Sequence, residues 1–149
     1  MSNFPHTYTT TSTSTPESLL TVNANNEETI LASAPVQFGG PEGHWTPEDF
    51  FSASISSCFI LTFKNYSRVK KINWKSLSVE VDALLDKTAD GLKFTKVIIR
   101  PKLEVCNDSD VDVCLKALHK AETLCLVTNS MTCEFELKPK VFLRQAACS

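Results

Sequence analysis

The stretch Thr46 to Phe63, TPEDFFSASISSCFILTF, leaves the chain few ways to fold. Thr46 offers a capping hydroxyl, Pro47 suits a first helical position where no N–H partner is needed, and Glu48 and Asp49 put negative charge at the positive end of the helix. From Phe50 to Phe63 there is no formal charge, and Phe50, Phe51, Ile55, Phe59, Ile60, Leu61 and Phe63 are spread around most of the circumference. A helix apolar on all sides is expected to be buried on all sides. The run is too short and too rich in serine to cross a bilayer, which takes about 20 mainly apolar residues. Lys64, Asn65, Ser67, Arg68, Lys70 and Lys71 then return the helix to solvent. A single thiol, Cys58, sits near its middle.

The rest of the chain must cover that helix. Its 149 residues fit one domain able to bury a real core, read as residues 17–149, preceded by a Thr/Ser-rich segment, 1–16, that is flexible or an edge strand. The net charge of -2 and the lack of a long basic run give no electrostatic footprint for nucleic acid, and the four cations between Arg68 and Lys75 read as a solvated helix end. The start, MSNFPHTYTTTSTSTP, lacks the basic head and apolar centre of a secretion signal, and no stretch is long enough to span a membrane, so the expected address is cytoplasmic. In that setting Cys58, Cys106, Cys114, Cys125, Cys133 and Cys148 do not read as a three-disulfide framework, and most are expected to be inert, with Cys148 exposed near the C-terminus. No Cys-x-x-Cys pair occurs and His6, His44 and His119 are scattered, so neither a metal site nor a cofactor is expected.

Ser18 to Val22 and Thr29 to Ala34 read as a hairpin around the turn-forming Asn23-Ala24-Asn25-Asn26. Pro35 to His44, with three of the four glycines, is a loop leading into the helix. Beyond the helix, Leu77, Val79 and Val81 alternate with polar residues, Ala89-Asp90-Gly91 makes a turn, and Leu92 to Val105 forms a second strand in which Pro101 implies an edge or a bulge. Asn107, Asp108 and Ser109 cap a second helix, with Val111, Leu115 and Leu118 on one line and Cys114, Leu118, Ala121 and Cys125 on the next. Met131, Cys133, Phe135 and Leu137 alternate along a last strand, with Cys133 in the core. The order predicts an α+β fold with antiparallel sheets, a long buried central helix and a second helix. One small sheet and one amphipathic helix do not suffice to cover the central helix. A dimer packing two such helices together would supply the remainder.

Pro47-Glu48, Ala53 and Cys58-Phe59, followed by a hairpin, a second helix and the late cysteine of Glu122-Thr123-Leu124-Cys125-Leu126-Val127-Thr128-Asn129-Ser130, resemble the OsmC/Ohr family, the osmotically inducible and organic hydroperoxide resistance proteins. The match in element order runs from Leu19 to Leu143. The resemblance implies an intertwined homodimer and a thiol peroxidase, with Cys58 peroxidatic, Cys125 resolving and Glu48 the active-site carboxylate. The substrate would be an organic hydroperoxide and the reductant an external dithiol. Phe50, Phe51 and Phe59 around Cys58 would favour a bulky peroxide by removing its apolar surface from water.

Ten residues along a straight helix is a rise of about 15 Å, so a Glu48 that serves the site is expected to come from the partner subunit. The sequence departs from the family in one respect. Members resemble one another in carrying an arginine ahead of the Pro-Glu, which pairs with the glutamate and stabilises the thiolate, whereas this chain has none before Arg68. His44 is the basic residue of that segment able to substitute. A second class of function stays open beside the peroxidase: a dimer of the same shape that binds an apolar ligand or senses oxidants through Cys58 and Cys125.

Overall fold

The computed structural model describes residues 3–25 and 27–145. Asn26, placed in the first turn, and Cys148 lie outside the described residues. The chain divides into two compact units, residues 1–50 and 51–149, and the division falls inside helix α1 (Pro47–Lys70).

The first unit holds an antiparallel sheet of order β1-β2-β3, formed by β1 (Thr11–Thr13), β2 (Leu20–Asn23) and β3 (Ile30–Ala32). The Thr/Ser-rich N-terminal segment thus contributes an edge strand, with Ser12 opposite Val22. The glycine loop after β3 makes a short 3-10 turn at Val36–Phe38, closed by Gly39 at φ 83°. A Cβ on Gly40 would lie 1.7 Å from the Ala34 carbonyl oxygen, so glycine is required there for the chain to pass itself. The Ser33 N–H then donates to the Trp45 carbonyl at 2.9 Å, which ties the start of α1 to the end of β3. Thr46 and Asp49 close a capping box: the Asp49 N–H donates to Thr46 Oγ1 at 3.1 Å and the Thr46 N–H to Asp49 Oδ2 at 2.9 Å.

In the second unit, β4 (Ser76–Thr88) and β5 (Gly91–Val105) form the long antiparallel hairpin. Its turn closes on Gly91 at φ 105°. A bulge shifts the register where Leu84 pairs with Lys96 and Leu85 with Phe94, leaving Thr95 as the extra residue. Helix α2 (Val111–Leu124) and the single turn α3 (Leu126–Asn129) follow, then β6 (Glu134–Leu137) and β7 (Lys140–Leu143). The architecture is α+β, with one refinement: β6 and β7 both run parallel to β5. The reason lies in the connection, because a crossover through α2 returns the chain in the direction of the strand it left.

Pro101 occupies neither an edge nor a bulge. It lies fully buried in β5, which has β4 on one side and β6 and β7 on the other. It is tolerated because β6 pairs with residues 96–99 of β5 and β7 with residues 102–105, so no parallel partner asks Pro101 for the N–H it lacks.

The core of this unit sits between the sheet and the helices. Val97, Ile99, Leu103 and Val105 of β5 meet Ile55, Phe59 and Phe63 of α1 and Cys114, Ala117, Leu118 and Ala121 of α2. Burying each of the large side chains contributes about 2–3 kcal/mol. Within one chain α1 is therefore buried along a single line, Ile55, Phe59, Phe63 and Ser67, and not all round. Leu61 and Val69 are 63% and 65% exposed on another face. Ser67 is tolerated on the buried line because its hydroxyl accepts from Trp74 Nε1 at 2.9 Å and donates to the Lys64 carbonyl at 3.1 Å.

Candidate active site

The open face of α1 borders a cleft of 720 Å³ in the second unit. Ser54, Cys58, Leu61, Thr62, Asn65 and Val69, spaced three and four residues apart, line it from one helix face. Leu124, Leu126 and Val127 close it from the junction of α2 and α3. Cys58 is half-buried at the cleft, and its sulfur lies 3.9 Å from the Thr62 hydroxyl, one helical turn on.

Cys125 stands at the junction itself. Helix α2 ends at Leu124, and Cys125 turns extended, at φ -68° and ψ 109°, before α3 begins. Its carbonyl accepts from the Asn129 N–H at 3.0 Å and from the Thr128 hydroxyl at 3.1 Å. The Cys125 side chain is fully buried, and its chain neighbours Leu124 and Leu126 line the same cleft as Cys58. Burial pushes its thiol up most strongly; Cys58 pushes the same way, while the backbone N–H and hydroxyl of Thr128 pull it down. The structure thus brings the two cysteines together, one opening on the cleft and one behind it. Held toward its protonated form, Cys125 is suited to give its S–H to a Cys58 sulfur that carries charge.

The other residues expected at the site fall elsewhere. Phe59 lies about 100° round the helix from Cys58 and is wholly in the core, so it does not wall the cleft. Phe51 stacks on Phe94 of β5, ring centroids 4.1 Å apart. Phe50 stacks on Trp45 at 5.6 Å and lines a separate 520 Å³ cavity of the first unit. The apolar walls that sequence reading missed are mostly aliphatic. Stepping from Cys58 by three, four and seven residues along α1 would have found Leu61, Thr62 and Asn65 before any phenylalanine. Glu48 and His44 belong to the first unit, both half-buried. One carboxylate oxygen of Glu48, Oε2, is buried with no hydrogen-bond partner among the described residues, His44 included. Among the described residues no group of three His, Cys, Asp or Glu side chains is arranged to hold a metal ion, and no helix is long and apolar enough to cross a membrane.

Residues 39–140 match the family model of OsmC-like proteins. The chain belongs to the OsmC family. It is 23% identical to an uncharacterized Bacillus subtilis protein over 121 residues, 79% of this chain and 80% of the relative. An OsmC-like protein of unknown function from Vibrio cholerae superposes with a TM-score of 0.82 at 23% identity, covering 91% of this chain and 99% of the other. An organic hydroperoxide resistance protein, OsmC, from Legionella pneumophila superposes with a TM-score of 0.75 at 20% identity, covering 93% of this chain and 98% of the other. At these identities the structural likeness establishes the fold. The chemistry of this OsmC protein has to be argued from its own cysteines.

Proposed function

We propose that this OsmC-family protein is a thiol peroxidase that reduces organic hydroperoxides through Cys58 and Cys125. The observation that carries the proposal is that Cys58 opens on a cleft walled by Leu124 and Leu126, the two neighbours of the buried Cys125. The Cys58 thiolate attacks the terminal oxygen of the hydroperoxide; the S–O bond forms, the O–O bond breaks, and the departing alkoxide takes up a proton as alcohol. The Cys58 sulfenic acid condenses with the Cys125 thiol, releasing water and leaving a disulfide. An external dithiol then reduces that disulfide by two thiol exchanges, a step suited to the reducing cytoplasm. Leu61, Val69, Leu124, Leu126 and Val127 favour a substrate with a bulky organic group, since they remove its apolar surface from water.

The working form is a homodimer in which Glu48 of one chain serves the thiol of the other. Support comes from the exposed Leu61, Val69 and Leu126 and from the unpartnered Glu48 oxygen. The direct test is consumption of tert-butyl hydroperoxide with dithiothreitol as donor. Cys58→Ser is expected to abolish turnover, and equal rates in wild type and variant would rule out the enzyme. After one equivalent of peroxide the intact mass should fall by two hydrogens, whereas Cys125→Ser should instead gain oxygen.

A further inference from the structure

Cys58 lies in the middle of α1, where no helix N-terminus favours its ionisation. An ordinary thiol has a pKa of about 8.5 and is mostly unreactive at neutral pH. None of the residues lining the cleft is charged. Among the described residues of one chain, the titratable groups beside Cys58 are Tyr66, on α1 itself, and Cys125, at the α2–α3 junction; the Glu48 proposed to come from the partner is an acid, so none of the three carries positive charge in any protonation state. Stabilisation of a Cys58 thiolate from the cleft thus falls to neutral hydrogen-bond donors.

The hydroxyls on this helix face are not equivalent. Ser54 Oγ donates to the Phe51 carbonyl at 2.7 Å and Ser57 Oγ to the Ala53 carbonyl at 2.6 Å, so both are committed to the backbone of their own helix. The Thr62 hydroxyl instead meets the Cys58 sulfur at 3.9 Å. With Cys58 protonated, either atom can donate. Once Cys58 ionises, only the hydroxyl can, and a hydrogen bond to a charged acceptor is roughly twice as strong as a neutral one. The contact therefore favours the thiolate and has room to tighten as charge develops.

We propose that the Thr62 hydroxyl is a catalytic hydrogen-bond donor to Cys58, holding its sulfur as the thiolate that attacks the peroxide. The role rests on the peroxidase reading, but its test does not depend on turnover. Alkylation of Cys58 by iodoacetamide, followed by peptide mass mapping across a pH series, reports the thiolate directly. Thr62→Val keeps the shape and removes the donor; Cys58 should react roughly tenfold more slowly at pH 7, with the midpoint of its pH profile moved upward. Thr62→Ala, which removes the same hydroxyl without adding volume, should behave alike, and Thr62→Ser should restore a rate within about twofold of wild type. Wild-type reactivity in Thr62→Val or Thr62→Ala, or a Thr62→Ser variant as slow as Thr62→Val, would overturn the assignment. If Cys58→Ser still consumes peroxide while these alkylation shifts appear, the peroxidase reading falls and the hydrogen bond stands.

Discussion

Cys114 and Cys125 are both sealed from solvent on the line of residues 114, 118, 121 and 125, yet they do different things. Cys114 donates its S–H to the Asn73 carbonyl at 3.3 Å, and burial first, then the charge of Asp110, pushes its thiol from 9.0 up to about 11. A folded-state value above the unfolded one means that folding favours the proton. The contribution is complete below pH 9 and is lost as pH rises toward about 11, because over that window the unfolded chain ionises while the folded one does not. Wild type should therefore lose urea resistance across the window relative to Cys114→Ser, which keeps a donor for Asn73 and has no thiol to ionise. Parallel declines in the two proteins would mean that Cys114 contributes nothing to this pH dependence. Periodicity alone does not separate these cysteines, since it places both on one helix. What separates them is that α2 stops at Leu124 and the backbone of Cys125 swings extended, which turns one sulfur toward Cys58.

Helix α1 was legible at its start, where Thr46, Pro47 and Asp49 are local signals acting through local bonds. Its faces were less so. An uncharged run shows that a helix needs cover, but not whether its own chain supplies it, and within this chain cover reaches one line of side chains. The direction of β6 and β7 was equally hidden, because alternation marks the face of a strand and says nothing about its polarity. The far end of α1 carries a further consequence. Lys71 adopts the left-handed conformation at φ 54°, with the Ile72 N–H donating to the Ser67 carbonyl at 2.8 Å and the Lys71 N–H to the Arg68 carbonyl at 3.2 Å. These are the two bonds of a Schellman ending, at a position that strongly favours glycine. A side chain there costs about 1–2 kcal/mol, part of which glycine returns as lost chain entropy. Lys71→Gly should stabilise the protein by about 0.5–1 kcal/mol, read as a higher denaturant midpoint with unchanged slope. A lower midpoint would show that the lysine side chain contributes more than the strain removes.

At the scale of the whole molecule, Leu61, Val69 and Leu126 are 63%, 65% and 70% exposed beside the cleft that Cys58 lines. A second copy of the chain is the cover proposed for them, so Leu61→Asp combined with Leu126→Asp should sediment at the mass of one chain where wild type sediments at two. A variant that stays dimeric would move the interface to another face. The sharper question is whether each active site is built from two chains. In a two-fold dimer, a Cys58→Ser chain paired with a Glu48→Gln chain contains one site that has lost both residues and one that keeps both, provided Glu48 serves the partner's thiol. If Glu48 serves its own chain, the same pairing leaves every site with one defect. Each variant alone should be nearly inactive toward tert-butyl hydroperoxide. Unfolded together at equal amounts and refolded, half of the dimers are mixed and half of their sites are intact, so activity should return to roughly a quarter of wild type. Recovery would place the two residues of one site on different chains. A refolded mixture that forms mixed dimers, as judged by mass, yet stays as inactive as its components would confine Glu48 to its own subunit and remove the dimer from the catalytic argument.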